Sequence, residues 1–154
     1  NHPVKELIFT GQKTAANQGH LSHIPTQLFD SATPTAAPIR KKSQKDGTTV
    51  GLKLNGHERF APQHLDYFTR TQVYQHHSGN GGIRFPDSIG VYSFALKPEE
   101  HQPSGTCNFS RIDSSQLTFS GEVPNATNHL INVYAVNYNV LRIMSGMGGL
   151  AYSN

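Results

Sequence analysis

Residues 48–55 read TTVGLKLN, and this stretch decides the fold class. Val50, Leu52 and Leu54 point one way while Thr49, Gly51 and Lys53 point the other, the period of two that a half-buried strand requires. Asn55-Gly56 then ends the strand with turn chemistry. The same pattern recurs on both sides. Val4 to Thr10 (VKELIFT) reads as a first strand closed by Gly11. Ile89 to Leu96 (IGVYSFAL) is apolar on both parities, as expected of a strand covered on both faces. Thr106 to Ile112 and Gln116 to Ser120 are two shorter β segments with Asp113-Ser114 between them. Leu130 to Ile143 (LINVYAVNYNVLRI) changes apolar parity twice, which predicts a bulge or bend near 135–136 and another near 140–141. A glycine-rich tail (Gly146, Gly148, Gly149) precedes a short LAYS segment.

Two stretches depart from this pattern. Residues 12–47 contain Pro25, Pro34 and Pro38 with little periodicity, and read as an irregular excursion from the sheet, held by Leu21, Ile24, Leu28 and Phe29 and ended by Asp46-Gly47. Ala61 to Tyr74 (APQHLDYFTRTQVY) reads as one short helix near 62–70, with Pro62 in its first turn and Leu65 and Phe68 sharing a face. Residues 78–82 (SGNGG) read as a flexible turn. The fold class is all-β: an antiparallel jelly-roll sandwich with long loops.

Composition supports this and narrows the function. Of 154 residues, 35% are hydrophobic and 15% charged, whereas Ser, Thr, Asn and Gln number 45. Charge-faced helices and coiled coils need a different mixture. No apolar run reaches the roughly 18 residues of a membrane-spanning helix. No basic-then-apolar leader stands at the N-terminus, and Asn1 in place of Met reads as a processed chain or a piece of a longer one. A single cysteine, Cys107, cannot form an internal disulfide and fits a reducing compartment. The net charge of +3 comes from one cluster. Without Arg40, Lys41, Lys42 and Lys45, nine basic residues face ten acidic ones. The chain therefore reads as a solvated loop tip on a near-neutral body, not a nucleic-acid surface.

Nine histidines invite a search for chemistry. His20 and His23 are three apart without a carboxylate or Cys at a matching interval. His76 and His77 are adjacent, and His57-Glu58 lacks the second His of a helical zinc site. The H-x-H of cupin-type metal enzymes does not occur. Cys107 falls in an expected strand, where a free Cys acts as a small hydrophobe. There is no G-x-S-x-G elbow and no phosphate-binding loop. Glu99 and Glu100 are neighbours whose carboxylates diverge. These residues define no catalytic, metal or cofactor site. Two N-glycosylation sequons start at Asn108 and Asn125; the first lies in an expected strand, the second in a loop after Pro124.

The run from Tyr92 to Asp113, YSFALKPEEHQPSGTCNFSRID, resembles the C-terminal part of the major capsid proteins of nucleocytoplasmic large DNA viruses, the iridovirus and phycodnavirus type. NHPVKEL at the start, KLNGHERF at 53–60 and INVYAVNYNVLRIMSGMGGLAYSN at the end resemble the same family in the same order. Residues 12–47 are where the similarity is weak. The resemblance implies a double jelly roll, of which residues 1–154 form a partial C-terminal jelly-roll domain; the first jelly roll and the opening strands of the second lie outside them. It implies a non-enzymatic structural subunit of an icosahedral shell, assembled as homotrimeric pseudo-hexagonal capsomers that meet neighbouring capsomers and minor capsid proteins. It implies no cofactor, no direct contact with nucleic acid and no membrane insertion. The expected location is the virion shell, assembled in the infected host cell, in its cytoplasm. Low charge with abundant amide and hydroxyl side chains suits neighbours that meet without large charge desolvation.

Two competing classes remain. A carbohydrate- or receptor-binding jelly roll would use exposed aromatics beside amides, for which Tyr134, Tyr138 and Asn137 are the candidates. A cupin-like metalloenzyme would need the ligand set that the sequence lacks.

Overall fold

The first strand carries one irregularity that organises everything around it. In β1 (Pro3–Lys13) the buried apolar residues are Val4, Leu7 and Phe9, so the inward parity changes after Val4. An inserted residue is the physical remedy, and the pairing of β1 with β8 (His129–Asn137) shifts register between Val4 and Glu6. Lys5 is the extra residue. Its carbonyl accepts the N–H groups of Phe94 and Ala95 at 2.9 and 3.2 Å. Its ammonium donates to the Pro98 carbonyl at 2.6 Å and sits 5.3 Å from the centre of the Tyr138 ring.

The computed structural model describes residues 2–13, 49–79, 89–120 and 129–152. Among them, two antiparallel sheets form a sandwich. In the first, β1 is central, flanked on one side by β5 (Ile89–Ser93) and β6 (Cys107–Asn108) and on the other by β8. In the second, β2 (Thr49–Leu54) is central. It is flanked on one side by β7 (Ser115–Ser120) and on the other by β3 (His57–Glu58) and β4 (Gln63–His64). A separate two-stranded hairpin, β9 (Leu141–Met144) and β10 (Met147–Leu150), follows β8.

The sheets meet face to face through aromatic rings. Phe9 lies edge-on to Phe68 and Phe119 at 5.8 and 6.0 Å, with Val50 and Leu65 closing the cluster. Val4 and Leu7 pack against Leu52 one layer further along. Full burial of such side chains contributes about 1.5–3 kcal/mol each. Ile131 of β8, Phe119 of β7 and Tyr92 of β5 pack against the same cluster.

The expected helix is present but displaced. Gln63 and His64 pair with Val50 and Thr49, which holds Pro62 out of the helix. One π-helical turn at Tyr67–Thr71 then runs into α1 (Gln72–His76). Leu65 and Phe68 are both fully buried, as their shared spacing predicts. The strand bounds shift for similar local reasons. β1 continues past Gly11 because its backbone stays paired with β8 as far as Lys13. β5 stops at Ser93, where the next two N–H groups turn to Lys5. β6 is short because the Asn108 side chain accepts the Ser110 N–H at 3.1 Å and starts a 3-10 turn.

Of the two bulges or bends expected in 130–143, the structure has one. The bulge expected near 135–136 is not in β8, whose residues all pair in sequence; the irregularity of this ladder is Lys5, on β1. Near 140–141 the chain leaves the sheet and begins β9. Apart from Gln12 and Lys13 in β1, the 12–47 excursion lies outside the described residues, with its basic cluster and His20 and His23. So do the Asn125 sequon and positions 80–82.

Candidate assembly surface

The groups that could carry chemistry are engaged in holding loops. His77 sits between two carboxylates: Nε2 lies 3.0 Å from Glu6 Oε2 and Nδ1 lies 3.1 Å from Glu99 Oε1. Glu6 is buried, and its approach to Nε2 is an ion-pair contact without the alignment of a hydrogen bond. Glu99 Oε2 also accepts from the Ser78 hydroxyl and from its N–H. The Ser78 hydroxyl is the largest cause, followed by that N–H, of a Glu99 pKa below the ordinary value; His77 adds to the effect and desolvation opposes it. This set ties the end of α1 to β1 and to the turn after β5. Its members, 6, 77 and 99 in sequence, have no spacing that sequence reasoning could read.

The other candidates separate similarly. Glu100 pairs with Lys97 at 3.0 Å, so the two adjacent carboxylates do diverge. His76 Nδ1 meets the Leu96 carbonyl at 3.0 Å, and His64 Nδ1 accepts the Asp66 N–H at 3.2 Å. His57 and His101 are exposed. His2 is buried with its ring 5.3 Å from that of Tyr152. Among the described residues, no three or more His, Cys, Asp or Glu converge as metal ligands would. Burial pushes the half-buried Cys107 thiol above its ordinary pKa, against a smaller opposing effect of Arg59. That is the reverse of what nucleophile activation requires. Asn108 is exposed, but its side-chain oxygen caps the following turn. Tyr134 is exposed, whereas Tyr138 is half-buried beneath the Lys5 ammonium.

What the described residues expose instead is unpaired β structure. Among the described residues β8 pairs only with β1 and β7 only with β2, so each has an edge without a described partner. Such edges are templates for added strands. The hairpin is barer still, with every residue of β9 and β10 exposed. Its turn, Ser145 and Gly146 with φ of 52° and 80°, has the left-handed pair that two-residue hairpins prefer. The Asn139 side chain closes its base, accepting from the Val140 N–H at 2.8 Å and donating to the Tyr152 carbonyl at 3.0 Å. The sequence signal for it is the glycine-rich tail before the LAYS segment.

An antiparallel sandwich of two sheets with one short helix defines a protein of the jelly-roll class. Residues 1–149 match the family of large eukaryotic DNA virus major capsid proteins, and the chain belongs to that family. It is 53% identical to the major capsid protein of Chrysochromulina ericina virus over 126 residues, 79% of this chain and 21% of that protein. It is 38% identical to the major capsid protein of Paramecium bursaria Chlorella virus 1, across 100% of this chain and 42% of that protein. A quasi-atomic model of the PBCV-1 virus capsid superposes with a TM-score of 0.64 and 32% identity, covering 100% of this chain and 44% of that one. The chain thus spans less than half the length of these relatives.

Proposed function

We propose that this chain is part of a structural subunit of an icosahedral viral shell, one that self-assembles into trimeric capsomers and performs no reaction. The observation that carries this reading is a sandwich whose β7 and β8 each have an edge without a partner among the described residues, in a sequence that matches a capsid family over residues 1–149. Two further strands, one at each edge, complete two five-stranded arrangements from the described elements, and the greater length of the relatives supplies chain to do so. Residues 1–154 are on this reading most of a second jelly roll, with its opening strands and a first jelly roll contributed from outside them.

The same reading places the protein in the virion shell, made in the cytoplasm of the infected cell. Its partners are copies of itself, neighbouring capsomers and minor capsid proteins, without nucleic acid or a membrane-inserted segment. The described strand ends at Lys13, Thr49, Ile89, Ser120 and His129 gather at one end of the sandwich, where the pairs Lys13–His129, Thr49–Ser120 and Thr10–Ile89 meet. The 12–47 excursion departs there, as an external or inter-subunit loop. Quantitative mass spectrometry of purified shells tests the proposal. Peptides from residues 1–154 should rank among the most abundant protein in the shell, and their absence from shells of infectious particles would reject it.

A further inference from the structure

We infer that Asn55-Gly56 is a latent deamidation site, held closed by the folded sandwich and converted to aspartate or isoaspartate only when its turn opens. This chemistry is independent of the shell reading above, and further chain packed beside the turn would not undo the bonds that hold it.

Asn-Gly is the pair in which an asparagine is least shielded by the residue that follows it. Gly56 has no Cβ to cover its nitrogen, and that nitrogen, once its proton has passed to a base, attacks Asn55 Cγ. A five-membered succinimide forms as the Cγ–Nδ2 bond breaks, and Nδ2 takes up a proton and leaves as ammonia. Water then opens the ring at either carbonyl and restores the Gly56 N–H. The product is aspartate or, with the main chain rerouted through the side chain, isoaspartate. One water is consumed and one ammonia released, with no oxidation or reduction.

The β2–β3 turn needs two left-handed residues, and Asn55 and Gly56 supply φ of 52° and 80°. Asparagine is not required for that geometry. The turn of the β9–β10 hairpin has the same two φ values with Ser145-Gly146, a pair that cannot deamidate. What asparagine adds at position 55 is its side chain. Oδ1 accepts the N–H groups of Asp113 and Ser114 at 2.8 and 3.2 Å, and Nδ2 donates to the Arg111 carbonyl at 3.3 Å. The Asn55 N–H donates to the Ser114 carbonyl at 2.8 Å. Main chain and side chain are thus both fixed to the 111–114 segment.

Attack requires the amide plane to rotate until Cγ presents its face to the Gly56 nitrogen. With Oδ1 and Nδ2 both held, the bonds must break first. Reaction then runs from the open turn alone, in proportion to its population. Hydrogen bonds of ordinary net worth, several on one side chain, keep that population small enough to slow conversion at least about tenfold. The change is also one-way. Aspartate puts a carboxylate oxygen where Nδ2 faced the Arg111 carbonyl, and isoaspartate adds a carbon to the main chain of a tight turn. Neither product restores the bonds of Asn55.

The test follows the complete capsid polypeptide by mass spectrometry near neutral pH, folded in buffer and unfolded in urea. Trypsin releases Leu54 to Arg59 (LNGHER), which separates this site from the other Asn-Gly pair, Asn80-Gly81. Conversion of LNGHER, with isoaspartate resolved from aspartate by chromatography, should be at least about tenfold slower in the folded protein than in urea. Equal rates overturn the inference. Hydrogen exchange of the Asp113 and Ser114 amides, both donors to Oδ1, reads the opening itself and should show matching protection. Slow conversion while these two amides exchange as freely as in the unfolded chain also overturns it, because the bonds to Oδ1 would then not be what closes the site.

Discussion

Phe9 lies directly across from Gly90 in the β1–β5 pair, and its ring occupies the space that a Cβ on residue 90 would need. The arrangement lets the most central aromatic of the core, fully buried between Phe68 and Phe119, lie down against its own sheet. Gly90→Ala is therefore an overpacking change, with an expected loss of about 1–3 kcal/mol. Chemical denaturation checks this. Combining Gly90→Ala with Phe9→Leu should cost less than the sum of the two single changes, because the smaller side chain vacates the contested space.

Asn55 is a second structural keystone. It adopts φ of 52° at the β2–β3 turn, and its side-chain oxygen accepts the N–H groups of Asp113 and Ser114 at 2.8 and 3.2 Å. Asn55→Ala removes both bonds and strains the left-handed backbone, with an expected loss of about 1–3 kcal/mol. Asn55→Gly relieves the backbone and should recover part of that loss. Equal stability of all three proteins, measured by thermal unfolding, would contradict this role.

The Glu99 carboxylate titrates below its ordinary value of 4.5, chiefly because the Ser78 hydroxyl donates to it. A carboxylate depressed in the folded state adds stability above its unfolded pKa, and that stability is lost as pH falls through the folded value. Ser78→Ala should move the Glu99 midpoint upward toward 4.5, read by carboxyl NMR titration, and shrink the acid-side loss of stability. An unchanged midpoint would mean that the hydroxyl does not govern it.

Cys107 provides a test of the absence of nucleophile chemistry. Its thiol is shifted above 9.0 by burial, so thiolate formation needs alkaline conditions. Alkylation by iodoacetamide should be slower than that of a free thiol near neutral pH, with a rate midpoint above 9.0. Fast reaction at neutral pH would indicate an activated cysteine.

Much of the fold was legible because burial imposes a period of two on a strand. TTVGLKLN announced β2, and its inward residues Val50 and Leu52 are buried as read. The spacing of Leu65 and Phe68 likewise announced a helix that delivers both to the core. Contacts between distant segments were not legible. The parity change in 130–143 pointed to a bulge in that strand, whereas the bulge of this ladder is at Lys5 of β1, where no sequence signal marked it. The His77 ion pairs with Glu6 and Glu99 are equally long-range. The hairpin escaped notice for another reason: its apolar side chains look like core, and only the structure shows them uncovered.

The mass of the complete capsid polypeptide in solution tests the central claim most directly. Light scattering coupled to size exclusion should give three times the mass of one polypeptide, stable on dilution. A well-folded species that remains a monomer at every concentration would contradict the account, because a subunit of the proposed shell assembles as trimers.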